Sequence, residues 1–351
     1  MGPEIVTLGT AGGQWTAFER VMVRAAYNEA ARSFHLDVAA EATPSATAWV
    51  FKAGTPVTIL FNGTLACTGY VDRYQPRIGE HSQATISVSG RSKGQDLIDS
   101  SAEHKTGKFK KKTPVQIANE LDQAGVGVYA DRQLEPIDYQ LTPGETVFRC
   151  IEKLCRKQRM TMTGEADGRI KITNGLQGMH AGGVIEGVNM KTGEADHNWS
   201  GRHSKVIVRG QRPFGHGKEA LEIEAAATDA TVGRNRPVIV IQDDDTDKQK
   251  AQTRADHRRD REAGGSLKAN VKLQGFRDDG GMLWTPGYGV MFVSPFLDIA
   301  QVMLIESVTF TQTRREGSES VLSLVDPKAY NGKGGKGGKA GAAWSSGAGG
   351  K

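Results

Sequence analysis

The pair Asn62-Gly63 lies between two stretches of strand-forming residues and constrains the fold more than any other feature of the sequence. Residues 56–61 (Pro-Val-Thr-Ile-Leu-Phe) precede the pair, and residues 64–72 (Thr-Leu-Ala-Cys-Thr-Gly-Tyr-Val-Asp) follow it. Both central positions of a type I′ turn need a positive φ, and Asn-Gly adopts such angles at low cost. The sequence therefore predicts an antiparallel hairpin at this point.

Two further segments show the alternation that is typical of strands. Phe34, Leu36 and Val38 alternate with other residues, and Ile86 and Val88 do the same. Apolar residues at every second position indicate a strand with one buried face. Several such strands, with a turn about every ten residues, favour a small antiparallel barrel or sandwich. We therefore expect a first β-barrel domain over residues 1–104.

Residues 105–195 contain helical signals instead. Thr113-Pro114 and Thr142-Pro143 each place a capping residue before a proline, which is typical of a helix start. Apolar residues follow the two signals at helical spacing, namely Ile117, Leu121, Val147, Ile151, Leu154 and Cys155. Short strands are expected at residues 127–129, 160–162 and 169–172. This pattern predicts an α/β domain.

The two ends of that region are interpreted as irregular. The run 105–112 is polar and basic, and we expect it to be a connector. Glycines accumulate at 178, 182, 183, 187 and 193, and we interpret them as the exit from the α/β domain.

Residues 196–330 return to strand patterns and predict a second β-barrel domain. Strands are expected at residues 205–209, 237–241, 266–275, 290–293, 302–312 and 321–325. A highly charged segment, 246–263, interrupts them, and Asp245 or Thr246 could cap it as a helix. Such a helix has only Ala251 and Ala255 to bury, so we expect it on a surface or at a subunit contact. Residues 331–351, with nine Gly and four Lys, are expected to be a flexible tail.

The excess positive charge is concentrated in that tail. The chain has 45 Lys plus Arg and 40 Asp plus Glu, a net charge of +5. Because the tail holds four Lys and no acidic residue, the first 330 residues carry only +1. A nearly neutral body argues against a protein that binds nucleic acid through its whole surface.

Several classes of protein are not expected from this sequence. It lacks the run of about 18 apolar residues that a membrane-spanning helix requires, and its N-terminus has no export signal. We therefore expect synthesis in the cytoplasm and no membrane insertion. Three cysteines, Cys67, Cys150 and Cys155, are too few for a disulfide scaffold. The spacing of the last two does not match a C-x-x-C redox or zinc motif.

The search for reactive groups leads us to predict no catalytic, cofactor-binding or metal-binding residues. Nucleophile elbow, P-loop and H-E-x-x-H motifs are absent, and the stretch 9–13 lacks the spacing of a phosphate-binding glycine loop. Three groups of residues are weaker candidates, and each has two possible roles. The histidines of one polar region are either ordinary loop residues or metal ligands: His197, His203 and His216.

The acidic triplet either stabilises the start of the following helix or binds a hard cation: Asp243, Asp244 and Asp245. The basic run around Phe109 forms either a solvated loop or a nucleic-acid-binding patch: Lys108, Lys110, Lys111 and Lys112.

Five segments, taken in order, carry a family resemblance: residues 67–72, 87–91, 96–99, 236–241 and 281–286. Together they resemble the baseplate hub proteins of Mu-like contractile-tailed bacteriophages, from about residue 5 to residue 330. Hubs of this kind are similar to those of T4-like phages and to the first part of type VI secretion spike proteins.

The resemblance implies a fold and a role. The implied fold is mainly β, with two tube-type antiparallel β-barrel domains flanking an α/β domain. Three copies would form a ring that adapts the sixfold tail tube to the threefold central spike, with a channel for DNA. The implied partners are the chain itself as a homotrimer, the tail tube protein, the central spike protein and other baseplate proteins, with phage DNA passing only transiently, and the implied location is the virion baseplate.

Three other functions remain open at this point. A hub of a pyocin-like or type VI secretion injection machine would share the same architecture. A cell-wall hydrolase would need a catalytic motif, and a DNA-binding protein would act through the run 105–112 and the tail.

Overall fold

The computed structural model describes residues 4–40, 51–78, 84–211, 223–242 and 246–330. Within these residues the chain is mainly β, with four short to medium helices. The predicted tail, His216 and the triplet Asp243, Asp244 and Asp245 lie outside them.

Seven strands occupy the first part of the chain. They are β1 (Val6–Thr10), β2 (Gly13–Trp15), β3 (Arg20–Ala26), β4 (Ser33–Ala40), β5 (Pro56–Phe61), β6 (Thr64–Ile78) and β7 (Ala84–Ser92). The predicted hairpin joins β5 to β6, and Asn62 and Gly63 have φ angles of 45° and 78°. The hairpin is thus confirmed, whereas β1, β2 and β3 were not predicted. In β3 the alternation of Val21, Val23 and Ala25 was available as a signal.

The middle of the chain forms short helices and strands. They are α1 (Gln95–Asp99), β8 (Lys108–Lys112), α2 (Pro114–Leu121), β9 (Val128–Ala130), β10 (Ile137–Gln140), α3 (Val147–Lys157), β11 (Thr161–Gly164) and β12 (Ile170–Thr173). The helix α2 starts as predicted, because Thr113 and Gln116 form a reciprocal capping box. These elements share a hydrophobic core that includes Ile117, Leu121, Ile151 and Leu154.

Two predictions about this region are wrong. The second helix does not start at Thr142-Pro143: Thr146 is its N-cap, since its side chain accepts from the Arg149 amide. Gly144, with a φ of 81°, makes the preceding stretch a turn. The basic run is also more than a connector, because Lys108–Lys112 forms β8 and pairs with β10.

The remaining elements complete the chain. They are β13 (Gly178–Ile185), β14 (Met190–His197), β15 (Lys205–Gly210), β16 (Ile223–Thr228), β17 (Pro237–Gln242), α4 (Lys248–Gly265), β18 (Leu267–Gln274), β19 (Tyr288–Ser294), β20 (Ile299–Thr313), β21 (Gly317–Val325) and a 3₁₀ turn, Pro327–Tyr330.

The expectation that the glycine-rich stretch is an irregular exit is wrong. The stretch forms β13 and β14. Because glycine has no side chain, residues of the adjacent strand can pack closely against it. A Cβ on Gly178 would lie 2.5 Å from the Tyr288 ring, and one on Gly289 would lie 2.5 Å from the Met179 sulfur. Here glycine permits close packing between two strands rather than breaking them.

One hydrogen-bonded sheet of 13 strands connects both ends of the chain. Its order is β14-β18-β21-β20-β3-β4-β7-β6-β5-β1-β2, with β19 and then β13 branching from β20. The long strand β20 makes the junction: its first half pairs with β19, and its second half, through Phe310, pairs with Val23 of β3. The division into two barrel domains ending at residues 104 and 330, around an α/β domain over 105–195, stays a prediction.

The charged helix α4 lies on a separate three-stranded sheet, β16-β15-β17. The predicted helix is confirmed, but Asp247 caps it by accepting from the Lys250 amide at 2.7 Å, so it begins at Lys248. Ala251 and Ala255 are its buried side chains and pack against Val206 and Val208. Small alanines let a very polar helix approach a sheet closely, which explains how it is held with little apolar surface.

Candidate assembly surfaces

The predicted metal candidates do not come together in the part of the chain that the structure describes. His197 contacts the carbonyl of Leu297 at 2.9 Å, and His203 pairs with Glu262 at 3.0 Å. Among the described residues, no group of three or more His, Cys, Asp or Glu could hold a metal ion. His216 and Asp243–Asp245 fall outside these residues.

The three cysteines are free thiols and all are buried. Burial raises the pKa of Cys67, Cys150 and Cys155 to about 12 in each case. Since the thiolate is the reactive form, these groups are poor nucleophiles near neutral pH.

The basic run around Phe109 is dispersed by the geometry of β8. Phe109 points into the core, while Lys108 and Lys110 are exposed. The Lys112 ammonium is paired with Glu120. The Lys111 amide donates to Asp138 at 2.7 Å. Strand pairing thus explains why an aromatic residue lies within the run.

A cavity of about 530 Å³ lies between α3 and α4. Arg156 on its wall is paired with Glu152, and the Tyr330 hydroxyl donates to Glu306 at 2.7 Å. Cys155 also lines the cavity, but its raised pKa leaves it protonated. The cavity therefore offers no thiolate, and none of its described lining residues belongs to a group that could hold a metal ion.

His180 and Asp278 form a buried pair that the sequence did not reveal. The imidazole Nδ1 donates to the Asp278 carboxylate at 2.8 Å, and Nε2 accepts from the Thr285 amide at 3.0 Å. Asp278 also accepts from the amides of Ala181 and Met282. Because both ring nitrogens are engaged, the pair fastens β13 to the loop before β19 and is not poised as a general base.

Buried polar contacts also hold the first strands to the α/β elements. The Arg32 guanidinium donates to the carbonyls of Gly164 and Ala66 at 2.9 and 2.8 Å. The Tyr27 hydroxyl donates to the carbonyl of Gly175 at 2.6 Å, and burial raises its pKa to about 12. These contacts satisfy carbonyl groups at the junction and favour one fixed arrangement of the two units.

The first exposed apolar surface lies on the sheet under α4. We call it the β17 face, formed by Ile207, Ile239 and Ile241 on the side opposite the helix. Ile239 and Ile241 are 53% and 71% exposed, while Val238 and Val240 point toward α4. The register places Ile207 beside Ile239, and in the described residues β17 pairs with β15 alone. The strand therefore has an open edge next to an apolar face.

A second exposed apolar surface lies along β13 and β19. We call it the β13 strip, formed by Met179, Ile185, Val188, Met291 and Phe296, of which Phe296 is 87% exposed. A Cβ on Gly183 would contact both Met291 and Ile185, so these side chains share one face of the paired strands. The Phe296 amide donates to Glu186, which brings Phe296 to the turn that holds Val188. In the described residues β13 pairs with β19 alone.

Three family models match successive parts of the chain. The N-terminal model of the Mu phage baseplate assembly protein GpP-like family matches residues 5–92, and the second-domain model of the baseplate hub protein gp44-like family matches residues 94–174. The C-terminal model of a tail protein matches residues 261–328. The baseplate hub protein gp44 of Escherichia phage Mu is 27% identical over 93% of this chain and 88% of its own length. The chain is a homologue of the phage Mu baseplate hub protein.

Solved structures agree with this relationship. The hub homologue matches the 43 kDa tail protein of prophage MuSo2 from Shewanella oneidensis with a TM-score of 0.81 and 28% identity, over 93% of this chain and 99% of that one. It also matches an Escherichia coli component of the type VI secretion system with a TM-score of 0.54 and 10% identity, over 90% and 76% of the two chains. The second likeness concerns the fold alone. Both the predicted resemblance and its type VI parallel are confirmed.

The described part of the hub homologue contains no helix with the length and hydropathy needed to cross a membrane. Its relatives are structural baseplate and tail proteins. Among the residues that the structure describes, the β17 face and the β13 strip each combine exposed apolar side chains with a strand that pairs on one side.

Proposed function

We propose that this chain is the structural hub of a contractile phage tail, where three copies form a ring that adapts the sixfold tail tube to the threefold central spike. The observation that carries the proposal is the homology to the phage Mu hub protein along nearly the whole chain. Because the match covers most of both chains, it concerns the whole assembly unit and not one shared module.

The architecture supports a mechanical role. The 13-stranded sheet runs from the first strands to the last through β20, and one hydrophobic core includes residues from both ends. Phe61, Phe276 and Phe310 pack together there, with ring centroids 4.6 to 5.2 Å apart. A continuous sheet over a shared core resists bending between its parts, as an adapter under the load of tail contraction requires.

The chemistry of the chain supports a non-enzymatic role. The buried thiols are protonated, and His180 has both nitrogens engaged. Exposed sheet edges and apolar faces, in contrast, are features that assembly would bury. The partners in this proposal are further copies of the chain, the tail tube protein, the central spike protein and other baseplate proteins.

The charge distribution supports a channel for DNA. The first 330 residues carry a net charge of +1. Since each phosphate that a protein neutralises adds affinity, a strongly basic wall would slow passage of the genome. In this proposal the chain is made in the host cytoplasm, is located in the virion baseplate and touches DNA only transiently.

The proposal is tested with the purified full-length chain. Light scattering should give three times the mass of one chain, and negative-stain class averages should show threefold rings with an open centre. Co-purification with the tail tube protein from the same genome should follow. A strict monomer at high concentration that binds neither tube nor spike would overturn the proposal.

A hub of a pyocin-like or type VI secretion machine is a second candidate, favoured by the fold shared with the Escherichia coli type VI component. The neighbouring genes distinguish the two. Capsid and terminase genes beside this one are expected for a phage, and their absence beside a complete set of sheath and tube genes supports the injection machine.

A further inference from the structure

We propose that the β17 face of one copy packs against the β13 strip of the next copy, and that this one repeated contact closes the ring. The inference rests on the proposed trimer and names the surfaces that build it. The two surfaces lie on separate sheets of the chain, since β17 belongs to the three-stranded sheet and β13 to the large one.

The β17 face has the features of a surface that is covered in the working protein. Strand β17 reads Pro-Val-Ile-Val-Ile-Gln, without one charged residue, and its outward residues Ile239 and Ile241 are more than half exposed. Exposed edge strands normally carry Lys or other charged groups that prevent unwanted pairing. An uncharged edge rich in Val and Ile would promote aggregation unless a partner occupies it.

The β13 strip supplies an apolar surface of a suitable kind. Phe296 and Val188 are 87% and 76% exposed at one end, and Met179 is 52% exposed at the other. Flexible methionines adapt to the shape of an opposing surface, and an exposed aromatic can insert into it.

Charge complementarity favours pairing between these two surfaces. The outward positions beside the β17 face include Lys205 and Arg209, and Arg234 precedes the strand, while Glu224 is already paired with Arg209 at 2.8 Å. The parallel register places Lys205 beside Pro237, and Arg234 also lies near that end, so these two basic groups mark the start of the strand. Arg209 lies beside Ile241 at the other end, which Asp243–Asp245 follow in the sequence.

The charged groups that border the β13 strip are acidic. The segments that form it contain no Lys or Arg between Lys171 and Lys191, or between Arg277 and Arg314. Glu186, Asp279 and Asp298 border it, and Asp279 lies directly against Gly182. Two copies of the same surface would repel each other through the like charges at their borders. The β17 face and the β13 strip, whose border charges are opposite, would attract and orient each other.

Symmetry points to the same pairing. A threefold ring of identical chains needs a head-to-tail contact between two different surfaces of the protomer, used three times. The chain presents one apolar surface with basic groups and one with acidic groups. A contact of each surface with its own copy would instead produce a twofold pair and would not close a ring of three.

The deciding experiment uses two full-length variants, each altered on one surface. Ile239→Glu with Ile241→Glu changes the β17 face, and Val188→Glu with Phe296→Glu changes the β13 strip. Sedimentation should show that each variant alone falls from the trimer mass to the monomer mass. Mixed in equal amounts they should form a complex of one chain of each, because one intact contact remains and the ring cannot close.

The control variant is Ile78→Glu, at an 87% exposed site outside both surfaces, and it should stay trimeric. A variant with both Ile241→Cys and Val188→Cys provides a second measurement, cross-linking between copies, which leaves the proposed contact intact. The native thiols are buried, so a short bifunctional maleimide should link copies into dimers and trimers only through the new cysteines.

The inference is overturned if the wild-type chain is trimeric and either surface variant remains so, if the mixed variants stay monomeric, or if the double cysteine variant gives no cross-linked species. A monomeric wild-type chain would instead contradict the proposed function itself. The two failures are therefore distinguishable.

Discussion

His180 and Asp278 lie 98 positions apart in the chain and share a buried hydrogen bond of 2.8 Å. Since Nε2 of the same ring accepts from the Thr285 amide, the imidazole is neutral and carries its proton on Nδ1. The pair joins β13 to the segment before β19. It therefore positions the two strands that carry the β13 strip.

The pH dependence of stability should reveal this pair. Burial lowers the pKa of His180, although the Asp278 carboxylate opposes the shift. Below the ordinary histidine value of about 6.5, the unfolded chain takes up a proton that the folded chain does not. The free energy of unfolding should thus be highest above that pH and should fall by up to about 1.4 kcal/mol for each unit below it, until the folded pKa is reached.

Urea unfolding at pH 7.5 and pH 5.5 measures this effect. His180→Gln keeps a donor and an acceptor but cannot titrate, so its stability should fall less between the two pH values than that of the wild-type chain. Equal losses in both proteins would show that other groups cause the pH dependence.

Removing the Asp278 carboxylate should lower the free energy of unfolding more than replacing the neutral His180 imidazole with glutamine. Asp278→Ala leaves His180 and the amides of Ala181 and Met282 without their acceptor in a buried place. Unsatisfied buried groups cost about 1–3 kcal/mol each, so we expect a loss of several kcal/mol. Asp279→Ala at the adjacent exposed position is the matched control and should change the free energy of unfolding by less than about 0.5 kcal/mol.

The aromatic cluster should be essential to the stability of the large sheet. Phe310→Ala removes a ring that is 3% exposed and packs against Phe61 and Phe276. Such truncations cost about 3–5 kcal/mol, and guanidinium unfolding measures the loss. Ile78→Ala, at an 87% exposed site, should have little effect. A small loss from Phe310→Ala would mean that the two ends of the chain do not share this core.

Two neighbouring glycines in α4 should respond differently to alanine. A Cβ on Gly264 would lie 2.2 Å from the amide nitrogen of Ala329, whereas one on Gly265 would meet nothing within 4 Å. Gly264→Ala should therefore push the helix away from the 3₁₀ turn and cost about 1–3 kcal/mol. Gly265→Ala should be neutral or slightly stabilising. Thermal unfolding of both variants checks the contrast, and similar melting temperatures would argue against this packing.

The thiols should resist modification while the chain is folded. With the pKa raised to about 12, each of Cys67, Cys150 and Cys155 is almost wholly protonated at pH 8 as well as buried. Ellman's reagent should report essentially no reactive thiol in the native protein and three in guanidinium. Rapid reaction of one thiol in the native state would identify local opening around that residue.

Much of the local structure was predictable because short-range patterns specify it. The Asn62-Gly63 turn, the capped start of α2 at Thr113 and the alternation around Leu36 depend on neighbours within a few residues. The start of α3 was missed because Thr142-Pro143 and Thr146 both look like capping sites, and only the turn at Gly144 separates them.

The prediction that the glycines between 178 and 193 mark an irregular segment was wrong for a related reason. Gly178 and Gly289 allow strands to approach each other, but in a single sequence such glycines look the same as those that break strands. The partner ring or sulfur that needs the space comes from a segment about a hundred residues away. No local pattern carries that information.

By itself the sequence determined the abundance of strands, the hairpin and the helices, since these depend on the order of nearby residues. It also determined the near-zero net charge of the first 330 residues and the similarity to phage hub proteins, which extends along the chain. Only the tertiary structure decided that β20 joins the two ends in one sheet, that His180 meets Asp278, and that Ile241 and Phe296 remain uncovered. The reason is physical: whether two distant residues touch, or a side chain reaches solvent, depends on how all the elements pack together.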